Sequence, residues 1–240
     1  MEQPLIPQFL KIREALREQI REGLMVPGSK LPAERKLADA FDTTRITLRE
    51  ALVLLEAEGQ IYREERRGWF VAPERLNYDP GVRSDFHRMV DEQQRCPETR
   101  WLNSSTIAAN PALCRQMELT PLDPLYRIDR VRLIDDRPVL YVEHYLKPEI
   151  FPGILEHDLN GSLTRIYESE YGIQIGRVRF EIYPTALVGI AAEQLNVAQG
   201  SQGLQIIRVN YDQNNRLIDC DFEFWRHDAI RVRVDTQQID

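Results

Sequence analysis

LPAERKLADAFDTTRITLREALVLLEAEGQIYREERRGWFV, residues 31–71, decides how the chain folds. Pro32 suits the first turn of a helix, where its missing N–H would have no partner anyway. Leu37, Ala38 and Phe41 then form that helix's inward face. Asp42-Thr43-Thr44 makes the break, and Thr44 is placed to cap the next helix with its hydroxyl. Leu48, Ala51, Leu52 and Leu55 recur at three and four residues, the buried stripe of a helix that Gly59 stops. Two short β-prone runs follow with Arg66-Arg67-Gly68 between them, a hairpin pattern. Helix, tight turn, helix and hairpin in this order predict a winged helix-turn-helix, a device that sets one helix in the DNA major groove.

Upstream, Phe9, Ile12, Leu16 and Ile20 mark an amphipathic helix that Pro27-Gly28 ends. None of the three helices has enough apolar surface to be stable alone, so they are expected to pack on one another. Arg45, Thr47 and Arg49 fall in the first turns of the third helix, where recognition helices meet bases and phosphates. Taken alone, such an arginine pair is ordinary solvated helix surface. Arg35 opening the preceding helix, and Arg66-Arg67-Gly68 at the hairpin tip, turn the reading toward DNA.

Net charge is −7, yet residues 1–75 hold 13 Lys+Arg and 13 Asp+Glu, so the whole excess of acid lies downstream. Phosphate contact depends on where the arginines stand, and a neutral average does not oppose it. Cys96, Cys114 and Cys220 are odd in number and scattered, which fits neither a disulfide framework nor a zinc site. The four His and three Cys show no metal spacing, and no cofactor is expected. No apolar run reaches bilayer length and the N-terminus lacks a signal-peptide layout, so a cytoplasmic protein is expected.

Leu31-Pro32-Ala33-Glu34-Arg35, Thr44-Arg45-Ile46-Thr47-Leu48-Arg49-Glu50-Ala51-Leu52, Leu55-Glu56-Ala57-Glu58-Gly59 and Arg67-Gly68-Trp69-Phe70-Val71 resemble the N-terminal domain of the GntR family of bacterial regulators. The resemblance implies operator contacts by Arg35, Thr44, Arg45, Thr47, Arg49, Arg66 and Arg67, with Gly68 bringing the wing into the minor groove. Ala33 departs from the Ser of many members and removes a capping oxygen, at a cost of about 1 kcal/mol.

Residues 1–73 are therefore assigned to the DNA-binding domain and 74–85 to a polar linker with Pro80-Gly81. A loop within one domain is the alternative, but the charge shift favours a boundary. In residues 86–240, short helices are expected over Phe86–Gln93, Pro111–Met117 and Ala191–Leu195, and a longer one from Ser162 to Tyr171. Leu125–Ile134 with Pro138–Leu146, and Leu204–Tyr211 with Leu217–Trp225, read as hairpins, and Ile173–Tyr183 as a further strand. The hairpins look like a weak duplication, Arg130-Val131-Arg132…Arg137…Glu143 beside Arg208-Val209-Asn210…Arg216…Glu223, although two hairpins of one sheet also match by chance. The expected fold class is α+β, built on an antiparallel sheet.

Tyr126–Leu133, Glu143-His144-Tyr145-Leu146, Gly161-Ser162-Leu163, Tyr171-Gly172-Ile173 and Arg226-His227-Asp228 resemble the UTRA effector domain of the HutC subfamily, whose fold is like that of chorismate lyase. The combination implies a homodimeric DNA-binding regulator, a repressor rather than an activator, controlled by a small-molecule effector. Arg66–Val71, Pro73–Leu76, Asp158–Thr164, Tyr183–Ala186, Asn210–Gln213 and Trp225–Asp228 look closest to regulators of phosphonate utilisation that respond to 2-aminoethylphosphonate. Candidate effector residues under this resemblance are Phe86, His87, Arg130, Arg132, Glu143, Ser162, Thr164, Asp219, Asp221 and Glu223.

Two features stand without the family. Arg130 and Arg132 alternate with Val131 and Leu133 and so share a sheet face, while Ser162 offers a helix N-terminus. A phosphate or phosphonate would fit there, and a solvated face is the alternative. Asp219, Asp221 and Glu223 also share a face, which is either solvated or holds a cationic group. His144 reads as a satisfied strand residue. The competing functions are an enzyme of chorismate-lyase-like fold and a related regulator sensing a sugar phosphate or an amino acid derivative. Against the enzyme, no GxSxG, P-loop or GxGxxG occurs, and nothing pairs a nucleophile with a base.

Overall fold

The computed structural model describes residues 6–64, 66–81 and 85–235. Two compact units emerge: Met1–Arg75 with Asn196–Ala198 and His227–Ala229, and Leu76–Leu195 with Gln199–Arg226 and Ile230–Asp240.

The first unit contains α1 (Gln8–Arg21), α2 (Glu34–Ala40), α3 (Arg45–Ala57) and a hairpin of β1 (Ile61–Glu64) and β2 (Gly68–Val71). Ile12, Leu16, Leu37, Leu48, Leu52, Leu55, Ile61 and Val71 are all buried in one cluster, so the helical stripes converge on the hairpin. The α1 helix ends at Arg21, earlier than Pro27-Gly28 suggests, because Gly23 adopts φ +74 just past its C-cap. Thr44 caps α3 by accepting from Thr47 N at 3.2 Å, whereas the N-cap of α2 is Ala33 and makes no side-chain bond.

The second unit is a six-stranded antiparallel sheet in the order β4-β5-β6-β9-β8-β7. Its strands are β4 (Pro97–Ala108), β5 (Pro124–Ile134), β6 (Arg137–Leu146), β7 (Ile175–Leu187), β8 (Ser201–Asp212) and β9 (Leu217–Arg226). The helices are α4 (Phe86–Asp91), α5 (Pro111–Met117), α6 (Leu163–Tyr171) and α7 (Gly189–Gln194). Leu163 and Tyr167 of α6 cover Ile128 and Leu146 on one face, and Leu113 and Met117 of α5 cover Leu125, Val209 and Cys220 on the other.

Part of the expected linker is a strand. Leu76–Tyr78 (β3) pairs in parallel with Ile230–Val232 (β10), with Leu76 and Tyr78 buried, because this polar stretch alternates just long enough to bury two side chains. Val82, Arg83 and Ser84 of that stretch lie outside the described residues. The β4 strand escaped the sequence reading because it is an edge strand with a bulge at Trp101/Asn103 and few buried positions.

Candidate functional site

The winged unit presents its arginines as the helix order dictates. Arg35, Thr44, Arg45, Arg49, Arg66 and Arg67 are exposed, and Thr47 and Gly68 are half-buried. The Thr44 hydroxyl is engaged at the cap and lies 3.0 Å from the Thr47 hydroxyl. Arg66 and Gly68 adopt φ +61 and +100, the left-handed turn that closes the short hairpin loop. Arg67 pairs with Glu64 and lies over the Phe70 ring at 5.3 Å. Arg49 Nε donates to Glu34 Oε2 at 2.8 Å, and Trp69 Nε1 donates to Glu34 Oε1 at 3.1 Å. These eight residues thus occupy the N-terminal turn of α3, the start of α2 and the hairpin tip.

In the sheet unit, register gathers a second set. Cross-strand pairs Arg132↔Leu140↔Trp225, Arg130↔Val142↔Glu223 and Ile128↔His144↔Asp221↔Arg208 run across four strands, so Arg130, Arg132, His144, Arg208, Asp221 and Glu223 share one face. Asp219 faces the same way opposite Asn210. This face, α4 and the start of α6 enclose a cavity of about 30 Å³, lined by Phe86, His87, Thr99, Arg130, Arg132, His144, Ser162, Thr164, Arg208, Asn210, Asp219 and Asp221. It adjoins a wider space of about 810 Å³ to which Glu223, Tyr78, Phe180 and Trp225 contribute.

The charges inside are mostly paired. Arg130 is buried and donates through Nε and Nη2 to His144 Nε2 at 3.0 and 2.9 Å, and through Nη1 to the carbonyls of Gly161 at 2.7 Å and Leu159 at 3.3 Å. Because a guanidinium only donates, His144 Nε2 must accept, and the ring proton sits on Nδ1, which donates to Asp221 Oδ1 at 2.5 Å. Burial, reinforced by the Arg130 charge, pushes His144 down to about 3, so it is neutral. Arg208 meets Asp221 Oδ2 through Nε at 2.9 Å and lies 3.6 Å from Glu223. Burial opposes ionisation of Asp221, but His144 and Arg208 hold its carboxyl below the usual range. Burial and the Asp221 charge instead raise Asp219, which accepts from Asn210 Nδ2 at 2.5 Å and from the Tyr167 hydroxyl.

Two residues that line the cavity each carry a buried polar atom with no partner among the described residues: Arg132 Nε and Asn210 Oδ1. Arg132 stacks over Phe86 at 4.9 Å. His87 Nε2 lies 3.0 Å from the Thr99 hydroxyl, and burial with the nearby Arg132 charge lowers its pKa. Ser162 caps α6, accepting from Arg165 N at 3.4 Å.

Three expectations need correction. Glu143 is on the opposite face, where it accepts from Arg127, Tyr141 and Tyr145, because it pairs with Asp129 and Phe222 and alternates away from the cavity. Arg130 lines the cavity, but the contacts given above commit its Nε, Nη1 and Nη2 to the protein. Two of the three acids do not wait for an external cation, because Arg208 on the neighbouring strand compensates Asp221 and Glu223. Sequence reading missed His144, Arg208, Asn210, Thr99 and Tyr167. The Arg208–Asp221 pairing was legible in the proposed second hairpin, had its turn been counted through.

Residues 9–71 match the gntR family of bacterial regulatory proteins, and residues 92–231 match the UTRA domain. The chain is similar to the uncharacterized HTH-type transcriptional regulator YihL of Escherichia coli K12, at 32% identity over 92% of this chain and 94% of that protein. It is also similar to the HTH-type transcriptional repressor NagR of Bacillus subtilis 168, at 28% identity over 93% of this chain and 92% of that one. Its fold matches the crystal structure of PhnF from Mycobacterium smegmatis with a TM-score of 0.65 at 22% identity, covering 94% of this chain and 99% of the other. The matched family and the relatives YihL and NagR are transcriptional regulators, which sets aside the enzyme reading. Among the described residues no helix is long and apolar enough to cross a membrane. With a reading head over 9–71 and an effector module over 92–231, the chain belongs to the GntR family of bacterial transcriptional regulators and carries a UTRA domain.

Proposed function

We propose that this regulator is a homodimeric repressor whose operator affinity is set by a small phosphate- or phosphonate-bearing effector in the sheet unit, with 2-aminoethylphosphonate as the candidate. The observation that carries the proposal is the pair of unsatisfied atoms in the cavity, Arg132 Nε as donor and Asn210 Oδ1 as acceptor. A buried polar group without a partner costs on the order of 1–3 kcal/mol, and a ligand that supplies the partner recovers it. An oxyanion at Arg132 would also meet the α6 N-terminus with Ser162 and Thr164. An amine would meet Asn210 Oδ1 beside Asp219. Phe86 and His87 line the oxyanion end, and Asp221 and Glu223 act by holding Arg208.

On the DNA side, Arg45, Thr47 and Arg49 would read the major groove, Arg35 and Thr44 the adjoining backbone, and Arg66, Arg67 and Gly68 the minor groove. Two such readers across a two-fold axis fit a near-palindromic operator. Ligand alters operator affinity by its differential affinity for the arrangements the dimer adopts. The adjoining space of about 810 Å³ favours a second reading, an effector with a larger polar body such as a sugar phosphate.

Calorimetry with 2-aminoethylphosphonate, inorganic phosphate and amino sugar phosphates tests both readings. Heat with the first, abolished by Arg132→Ala while DNA binding persists, is the expected result. Heat with an amino sugar phosphate alone selects the second reading, and heat with none of them rejects the anion site.

A further inference from the structure

Glu34, at the start of α2, touches both the recognition helix and the wing. Its Oε2 takes the Nε–H of Arg49 at 2.8 Å, and its Oε1 takes the indole N–H of Trp69 at 3.1 Å. The carboxylate is mostly covered, with 21% side-chain exposure, whereas Arg49 stands out at 64%. Trp69 is itself buried, and Arg63 on the facing wing strand lies over its ring at 5.8 Å. Burial alone would raise the Glu34 pKa, but its bonds to Trp69 and Arg49 bring it down, so the carboxylate is charged at neutral pH.

A carboxylate on a DNA-facing surface repels phosphate, so its place there needs a reason. We infer that Glu34 is a positioning residue for sequence reading: it grips Arg49 by Nε and leaves the outer edge of the guanidinium free to fork onto a guanine. Among the described residues, Glu34 is the sole hydrogen-bond partner of the Arg49 guanidinium. An arginine reads O6 and N7 of guanine with two parallel N–H groups, which requires the guanidinium plane to be fixed. An unheld arginine on an exposed helix has many rotamers, and freezing them on DNA costs affinity for the operator. Glu34 removes that freedom beforehand. Its second bond, to Trp69, fixes the carboxylate itself and ties the angle of Arg49 to the wing.

The inference rests on Arg49 reading a base, as proposed above, and the test separates the two. Binding of full-length wild type, Glu34→Ala, Glu34→Gln, Arg49→Ala and the double variant E34A/R49A is measured on two duplexes. One is an operator enriched by the wild-type chain from random-sequence DNA, and the other is an unrelated duplex of equal length. E34A is expected to lower the operator-to-unrelated ratio about tenfold, the loss of roughly one well-placed bidentate contact. Affinity for the unrelated duplex should hold or rise, because a negative charge has been removed. E34Q keeps one acceptor oxygen and should lose less. In the R49A background, E34A should change the ratio no further.

An unchanged ratio in E34A, or an equal loss with and without Arg49, overturns the positioning role. A parallel fall on both duplexes marks Glu34 as merely structural and overturns it too. Should E34A fail to fold, E34Q and Trp69→Phe carry the same comparison. If R49A leaves operator affinity unchanged, the base-reading assignment of Arg49 fails as well. If R49A weakens operator binding and the Glu34 variants do not shift the ratio, only the present inference fails.

Discussion

Asp219→Asn should make the sheet unit acid-sensitive in a range where the parent chain is not. Two protons oppose each other inside the network. His144 has a pKa of about 3 when folded against an ordinary 6.5, because burial and Arg130 disfavour the imidazolium. Its stabilisation is fully present above pH 6.5 and is lost as pH falls toward 3, since the unfolded chain takes up that proton first. Asp219 runs the other way: burial and the Asp221 charge raise its pKa, so its contribution is present below the ordinary carboxylate value and is lost as pH rises. Between pH 7 and 5 the folded protein gains a proton at Asp219 while the unfolded chain gains one at His144, and the two effects offset. An amide cannot titrate, so the substitution leaves the His144 effect bare. Each pH unit below 6.5 then costs about 1.4 kcal/mol, or ~2 kcal/mol at pH 5. Urea unfolding at pH 7 and pH 5, read from hydrogen-exchange protection of β6 and β9 peptides, would show the difference. Adding His144→Gln to the variant should abolish the slope. If the variant and the parent lose the same stability between the two pH values, the assignment of opposed protons is wrong.

Ala33→Ser should restore the missing cap of α2 and stabilise the winged unit by about 1 kcal/mol, visible as a higher Tm. Gly176→Ala places a Cβ 2.4 Å from the Asp212 carbonyl at the β7 bulge, so it should destabilise the sheet unit by roughly 1–3 kcal/mol in a urea titration. Arg35→Ala should weaken binding to all duplexes alike and flatten the dependence of log K on log salt by about 0.9, the signature of one lost phosphate contact. A change in sequence preference instead would reassign Arg35 to base reading.

The winged unit was legible because its signals are local. Thr44, Leu48, Leu52 and Leu55 declare a capped, one-sided helix within a dozen residues, and the structure places each as the pattern requires. Ala33 was legible for the same reason, as an N-cap without an oxygen. Most strands of the sheet unit were also visible from alternation. What could not be read was register between hairpins, since there the face of a residue depends on a partner tens of positions away. Glu143 and Glu223 look equivalent in the two hairpins, yet Glu143 pairs with Phe222 and Glu223 with Val142, so they face opposite sides. In the sequence His144 reads as a satisfied strand residue. It is satisfied, but by Arg130 and Asp221 in the cavity wall, so the bland and the functional readings describe one side chain. Arg208 was overlooked because its meaning lies entirely in standing opposite Asp221.

The chain of contacts from Gly161 through Arg130, His144 and Asp221 to Arg208 has an evolutionary consequence. Each member satisfies the next, so removing any one strands a buried charge or donor, at roughly 3–5 kcal/mol for an ion pair. Replacing the whole set by apolar residues of similar volume need not cost anything. Such a group drifts by joint exchange, with strong epistasis among Arg130, His144, Asp221 and Arg208, while Arg132 beside them, whose Nε owes nothing to the protein, is free to change with the ligand. If the effector sits where we propose, its preference would be retuned at Arg132 without dismantling the lattice beside it.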